Sequence, residues 1–102
     1  MISVREKDLK QLNQIFEGIQ IPIQVLAYGS RVNGTSHEGS DLDLVYRKKD
    51  TNKADIDLLM KLKSKIENSN IPIIVEIRDW NMLPESFHEQ IKQRNECLFK
   101  NY

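Results

Sequence analysis

Two kinds of hydrophobic pattern follow each other in the first part of the chain, and they predict a helix and then a strand. Over residues 5–18, apolar residues recur at steps of three and four with polar residues between them, which is typical of an amphipathic helix. Residues 21–28 are nearly continuous apolar sequence with a proline near the start, as in a strand covered on both faces. We expect this helix to cover one face of the sheet that contains the strand.

The second half of the chain repeats the order of helix and strand. Residues 51–68 predict a second amphipathic helix, capped by Thr51 or Asn52, and residues 71–78 predict an apolar strand. A last helix is expected over residues 84–99, because apolar residues recur there at helical spacing. Together these patterns indicate an α/β (α+β) fold, with a small mixed sheet of three to four strands flanked by helices.

A further strand, predicted over residues 40–47, carries two aspartates. Asp41 and Asp43 lie at i and i+2, so both carboxylates point to one face of the sheet. Aspartate is unfavourable in strands and an unpaired buried charge is costly, so the pair needs an explanation. One explanation is exposed charge at a sheet edge. The other is a pair of oxygen ligands for Mg²⁺, which binds one or two protein carboxylates together with substrate phosphates.

Gly29 and Ser30 follow the first strand, and both suit contact with a phosphate. Gly29 lacks a Cβ, so its backbone can approach a ligand closely. Ser30 stands where a short helical turn over residues 30–34 is expected to begin, and free N–H groups at such a point favour an anion. Alone, this pair is more typical of an ordinary strand-to-helix turn. Combined with the downstream Asp41 and Asp43, it predicts a site for nucleotide chemistry.

Gly29-Ser30, ten intervening residues and then Asp41-Leu42-Asp43 resemble the G-S-x10-D-x-D signature of the minimal nucleotidyltransferase (MNT) domains of the DNA polymerase β superfamily. The resemblance covers nearly the whole chain. It implies a polymerase β-like nucleotidyltransferase fold in which Gly29 and Ser30 hold the triphosphate of ATP and the two aspartates bind two Mg²⁺ ions. Arg31, next to the serine, is either a further phosphate contact or a surface arginine.

Glu76 interrupts the apolar strand over residues 71–78 and is the candidate third carboxylate. From the residues alone, an ion pair with Arg78 or a lysine is an alternative explanation for this glutamate. The resemblance implies a third acidic residue on a later strand, acting as metal ligand or general base, and Glu76 occupies that position beside Asp41 and Asp43. Many relatives have aspartate there. Asp79 is the fallback, although its parity places it on the opposite face unless a bulge intervenes.

Composition narrows the class of protein. With 102 residues the chain is expected to form one domain, 1–102, and its 15 basic and 15 acidic residues give zero net charge, which argues against a general nucleic-acid binder. It has neither an apolar run long enough for a bilayer nor a signal-peptide core, so no membrane contact is expected. The single cysteine, Cys97, excludes an intrachain disulfide, is expected to be buried, and favours a reducing cytoplasm. Trp80, Phe99 and Tyr102 predict either an exposed patch for a partner or terminal packing.

The resemblance also implies a partner. Small stand-alone MNT proteins similar to this chain are typically encoded beside a HEPN ribonuclease toxin, which they neutralise by adenylylating a tyrosine. The leading hypothesis is therefore an antitoxin that transfers AMP from ATP to a tyrosine hydroxyl of its HEPN toxin and forms a hetero-oligomer with it. Two alternatives stay open: transfer to a small-molecule hydroxyl such as that of an antibiotic, and a non-catalytic antitoxin that acts by binding.

Overall fold

The computed structural model describes residues 2–35, 37 and 39–102, and it packs helices against both faces of one sheet. The helices and strands, in chain order, are α1 (Glu6–Glu17), β1 (Ile23–Tyr28), α2 (Ser30–Asn33), β2 (Leu42–Lys48), α3 (Ile56–Glu67), β3 (Val75–Asp79), α4 (Glu85–Gln93) and β4 (Glu96–Lys100). A 3-10 turn over Trp80–Met82 joins β3 to α4. Among these residues, no helix combines the length and the apolar character needed to cross a membrane.

The sheet has four strands in the order β3-β2-β1-β4. Strand β1 runs antiparallel to both β2 and β4, whereas β2 and β3 are parallel. A parallel pair needs a crossover connection, and α3 supplies it. The prediction of a small mixed sheet flanked by helices is therefore confirmed.

Two hydrophobic cores cover the two faces of the sheet. The larger core lies against α1 and α3, and its buried members include Leu12, Phe16, Val25, Leu44, Tyr46, Leu62 and Ile77. The smaller core lies against the 3-10 turn and α4, and it consists of Leu26, Val45, Trp80 and Ile91. Alternate residues of β1 and β2 thus enter opposite cores, which explains their nearly continuous apolar sequence.

Helix α3 begins later than its sequence pattern predicts. Asp55 is its N-cap, and the Asp55 carboxylate accepts a hydrogen bond from the backbone N–H of Leu58 at 3.0 Å. Thr51 and Asn52, the predicted caps, precede the helix. The reason is tertiary: the backbone N–H of Asp55 itself donates to the buried Asp79 carboxylate at 3.0 Å, which fixes where the helix starts.

The last part of the chain is a strand where the sequence pattern predicts helix. Helix α4 ends at Gln93, and β4 pairs with β1, with Ala27 opposite Glu96 and Gln24 opposite Lys100. Pairing with β4 satisfies the edge of β1 that β2 leaves free, and this long-range gain outweighs the local helical spacing. Prediction of a helix over residues 84–99 was therefore wrong beyond Gln93.

The structure also corrects the prediction of a buried Cys97 and excludes one of the two alternatives for Trp80, Phe99 and Tyr102. Cys97 is exposed: a register shift in the pairing of β1 with β4 places it opposite Leu26, on the face of the smaller core, whereas Leu98 and Phe99 pack against the larger core. Trp80 is buried in the smaller core, and Phe99 packs against Phe16 on the opposite face, with ring centroids 5.8 Å apart. Trp80, Phe99 and Tyr102 therefore cannot form one exposed patch.

Candidate active site

The turn after β1 can be made only by glycine. Gly29 has φ of 79° and ψ of −155°, a conformation that side chains rarely adopt. A Cβ at this position would stand 2.7 Å from the Oδ2 atom of Asp43. The backbone of the turn therefore lies directly against the Asp43 carboxylate, and the two parts of the sequence motif meet in space.

A row of polar side chains crosses three neighbouring strands beside this turn. In the ladder, Tyr28 of β1 is opposite Asp43 of β2, and Asp43 is opposite Glu76 of β3. Residues paired directly across a ladder project to the same face, so the phenol and both carboxylates share one face of the sheet. Asp41 has the same parity as Asp43 and lies exposed one residue before β2. The three predicted acidic residues thus lie at one end of the sheet, with Asp43 and Glu76 directly opposite each other in the ladder.

The electrostatics of Asp43 reflect this crowding. Burial raises the pKa of the Asp43 carboxyl, the Arg78 guanidinium opposes that rise, and the negative charges of Asp41 and Glu76 add to it. The net pKa lies above its usual range. A raised pKa means that the ionised form of Asp43 is undercompensated, which is the condition that a bound cation would relieve.

Arg78 and Tyr28 hold one side of the Asp43 carboxylate in place. The Arg78 Nη1 atom donates to the Tyr28 hydroxyl at 3.1 Å and lies 3.6 Å from the Oδ1 atom of Asp43. The other carboxylate oxygen, Oδ2, faces the Gly29 turn. Asp43 is therefore held between a glycine backbone and a guanidinium. Burial also raises the pKa of the Tyr28 phenol, against the lowering effect of Arg78.

Arg31 lies beneath the site. Its guanidinium is buried and donates to the carbonyl oxygens of Ser40, at 2.8 and 3.0 Å, and of Ser3, at 2.7 Å. Ser40 is the residue before Asp41, so these bonds tie the segment that presents the first aspartate to the glycine turn. The contacts that define the position of Arg31 are thus with protein carbonyls, whereas the sequence had left open a phosphate contact or a surface position.

Among the described residues, none occupies the Ser30 hydroxyl, which leaves it available to a ligand. Ser30 is half-buried at the start of α2, and no hydrogen bond within the described residues engages its hydroxyl. The carbonyl of Gly29 accepts from the N–H groups of Val32 and Asn33, both at 3.0 Å, which fixes the turn without using the serine side chain.

Asp79, the fallback for the third carboxylate, belongs to a different part of the protein. It is opposite Tyr46 in the ladder, on the face that carries the larger core, and it is buried. Its carboxylate accepts from Lys48 at 2.9 Å and from the Tyr46 hydroxyl at 3.0 Å. This is the parity that the sequence predicted for Asp79, and it leaves Glu76 as the acidic residue of β3 on the side of Asp43.

Sequence reasoning missed Tyr28 and Arg78 as parts of the site. Arg78 was considered only as a partner for Glu76, whereas the ion pair found among the described residues joins it to Asp43. A signal was present: Arg78 stands two residues after Glu76 and shares its face, and Tyr28 is the last residue of β1. Knowledge of the strand order was needed to place them together.

The donor set fits Mg²⁺ better than a metal that needs a complete protein cage. Within the part of the chain that the structure describes, no three acidic, histidine or cysteine side chains are gathered closely enough to hold a metal alone. Mg²⁺ is usually held by one or two carboxylates together with substrate phosphates and water. Asp43, with a raised pKa and like-charged neighbours, provides such an incomplete oxygen site.

Comparison with known proteins places this chain in a family. Residues 10–102 match the family described as "Polymerase beta, Nucleotidyltransferase". The chain therefore belongs to the polymerase β nucleotidyltransferases, an enzyme family, as its sequence motif had indicated.

Individual relatives are consistent with this assignment. MntA of Haemophilus influenzae, described as a probable protein adenylyltransferase, is 29% identical over 94 residues, which cover 90% of this chain and 79% of MntA. A crystal structure of a toxin–antitoxin with AMP-PNP superposes with a TM-score of 0.72 at 20% identity, over 91% of this chain and 73% of the other. An MntA-HepT toxin–antitoxin structure superposes with a TM-score of 0.67 at 15% identity, over 95% and 74%. Both superpositions show that the fold is shared.

Proposed function

We propose that this protein is a magnesium-dependent adenylyltransferase that moves AMP from ATP to a tyrosine hydroxyl of a HEPN-type toxin, and that it acts as the antitoxin of that partner. The observation that carries this proposal is the contact between the Gly29 turn and the Asp43 carboxylate, with Glu76 alongside. The naming of MntA as a probable protein adenylyltransferase supports transfer to a protein. The toxin–antitoxin neighbours, one of them with AMP-PNP, support the partner and the nucleotide.

In this proposal each residue of the site has a role. Asp41 and Asp43 hold the metal ions, with Glu76 completing the set, and Gly29 with Ser30 binds the β- and γ-phosphates through N–H groups and the free hydroxyl. Magnesium held by these carboxylates would supply positive charge against the departing pyrophosphate and would lower the pKa of the attacking hydroxyl.

The reaction is a displacement at the α-phosphorus. A bond forms from the tyrosine oxygen to the α-phosphorus, while the bond from that phosphorus to the bridging oxygen of the β-phosphate breaks. Pyrophosphate leaves with the electron pair, and the phenolic proton passes to a carboxylate of the site. Glu76 suits that step because it is half-buried on β3, an edge strand that an incoming protein can reach.

The direct test is incubation with labelled ATP, Mg²⁺ and the toxin encoded beside this protein. We expect AMP on a tyrosine of the toxin, and we expect Asp41→Asn with Asp43→Asn to abolish the transfer. A matched control is Asp50→Asn with Asp57→Asn, which removes the same charge from two exposed positions. Continued transfer by the Asp41 and Asp43 variant would refute the proposed site. Protection of cells by that variant, without transfer, would mean that binding to the toxin suffices.

A further inference from the structure

A groove of about 430 Å³ lies along the outer edge of β3. It is lined by the last turns of α3, including Lys63 and Glu67, and by most of residues 71–77, which are apolar apart from Glu76. Glu76 is also the residue opposite Asp43 in the ladder. The groove is therefore continuous with the acidic residues of the candidate active site.

Exposed apolar side chains surround this groove. Ile74, the residue before β3, is 64% exposed and shares a face with Glu76, two residues later. On α3, Ile56 and Met60 are 64% and 58% exposed. They lie on the same side of the helix as Lys63, because residues 56, 60 and 63 follow helical spacing. Exposed apolar side chains gathered around one groove are typical of a protein interaction site.

The edge of β3 also offers backbone groups for pairing. The N–H of Leu42 donates to the carbonyl of Ile74 at 2.9 Å, so the backbone of Ile74 faces β2. Backbone groups alternate in direction along a strand, so the N–H and C=O groups of Val75 and Ile77 point away from β2. Within the described part of the chain, no strand pairs with β3 on that side. An extended segment of another protein can therefore add to the sheet there.

An added strand would present its side chains to the candidate site in a defined way. A residue opposite Glu76 would project to the face that Glu76 shares with Asp43, by the same geometry that places those two carboxylates side by side. Aromatic side chains on a sheet reach diagonal neighbours about 7–8 Å away, which include the exposed Ile74. A tyrosine at this position would rest its ring on Ile74 and direct its hydroxyl toward the carboxylates.

We propose that this groove binds the segment of the toxin that carries the acceptor tyrosine, and that the segment adds to β3 as a fifth strand with its tyrosine opposite Glu76. The inference rests on the proposed function, because it takes a tyrosine of the toxin to be the acceptor. Alternate side chains of the segment face α3 and fill the apolar groove. Main-chain pairing explains how a domain of 102 residues holds a protein acceptor.

The first test is Ile74→Lys, measured by calorimetric titration of the purified toxin without ATP and by AMP transfer at varied toxin concentration. Because Ile74 is exposed, the urea midpoint should not change, but the charge opposes docking of an apolar segment. We expect about tenfold weaker binding of the toxin and about tenfold higher KM for it, the scale of one buried isoleucine, with unchanged kcat and ATP binding. Ile21→Lys is the matched control, since Ile21 is exposed and precedes β1 at the end of the sheet far from Tyr28.

A second pair of variants tests strand addition itself. Val75→Pro removes the N–H that points away from β2, and proline is tolerated at the first residue of an edge strand. Val75→Ala also shortens the side chain but keeps that N–H. We expect Val75→Pro to bind the toxin about fivefold more weakly than Val75→Ala, the scale of one hydrogen bond. Urea unfolding of both variants checks that folded proteins are compared.

Three results would overturn the docking site: wild-type toxin affinity and KM in Ile74→Lys, equal weakening by Ile21→Lys, or equal binding by folded Val75→Pro and Val75→Ala. A dimer of the wild-type protein that Ile74→Lys dissociates, with toxin binding unchanged, would assign the groove to a second copy of this chain. Failure of the proposed function gives another pattern. In that case toxin binding depends on Ile74, but no AMP reaches the toxin.

Discussion

Asp43 and Asp79 lie on the neighbouring strands β2 and β3, on opposite faces of one sheet, and their surroundings shift their pKa values in opposite directions. Burial by itself raises the pKa of both carboxyl groups. At Asp79 the hydrogen bonds from the N–H of Asp55, from Lys48 and from the N–H of Asn81 outweigh burial, so the pKa is lowered. At Asp43 the acidic neighbours add to burial, and the pKa is raised.

The difference shows how one small sheet places a carboxylate that stabilises the fold on one face and a carboxylate available for ligand binding on the other. Asp79 has a partner for each carboxylate oxygen, and it joins β3 to the start of α3 and to the 3-10 turn. Asp43 has one cation at 3.6 Å and like charges near it. A carboxylate whose lone pairs are satisfied by the protein has little to offer a ligand. One left undercompensated in an open position is a candidate for metal or substrate binding.

The largest expected effect is on activity. Asn at position 43 keeps the shape of the side chain but removes the charge, so Asp43→Asn should lower AMP transfer by about 10³-fold, the scale seen when a catalytic site loses one electrostatic group. Removal of the repulsion with Asp41 and Glu76 should leave the free energy of unfolding unchanged or raised. Transfer assays and urea unfolding check the two parts separately. A variant that loses activity because it unfolds would break the comparison with Asp79.

The converse substitution should destabilise the protein. Asp79→Asn leaves the Lys48 ammonium, whose side chain is 3% exposed, without its partner. Breaking a buried pair from one side typically costs about 3–5 kcal/mol, so the urea midpoint should fall strongly. Addition of Lys48→Met should recover part of that loss, since no unpaired charge then remains. A loss equal to that of an exposed control such as Asp57→Asn would contradict the structural role of Asp79.

The same contrast explains what could be predicted from the sequence. Strand alternation is local, so it correctly placed Asp79 on the opposite face from Glu76. The glycine before Ser30 was equally visible. In contrast, β4, the Asp55 cap and the brace of Tyr28 on Arg78 all depend on residues far apart in the chain. Apolar residues do recur at helical spacing over residues 84–99, but pairing with β1 makes residues 96–100 a strand.

A third prediction concerns acid. The pKa of Asp79 is lower in the folded protein than the value of about 3.9 expected for an unfolded aspartate. As the pH falls through that value, the unfolded chain takes up the proton first, so stability that is complete above it is lost progressively down to the folded pKa. Urea midpoints measured between about pH 6 and about pH 3 should therefore fall more steeply for the wild-type protein than for Asp79→Asn. Parallel curves would mean that other carboxylates dominate acid unfolding.

The smallest expected effect tests the brace on Asp43. Tyr28→Phe removes the hydroxyl that holds Arg78 but keeps the ring, which packs against the smaller core. Arg78 stays near Asp43 with one fewer restraint, so AMP transfer should fall only about fivefold, the scale of one hydrogen bond. The Mg²⁺ concentration that gives half-maximal AMP transfer should change as well. A titration of Mn²⁺ into the same variant, without substrate, would test for a change in metal affinity directly. Tyr102→Phe, which alters an exposed phenol beyond β4, is the control and should have no effect. A loss as large as that of Asp43→Asn would instead place the Tyr28 phenol among the reacting groups.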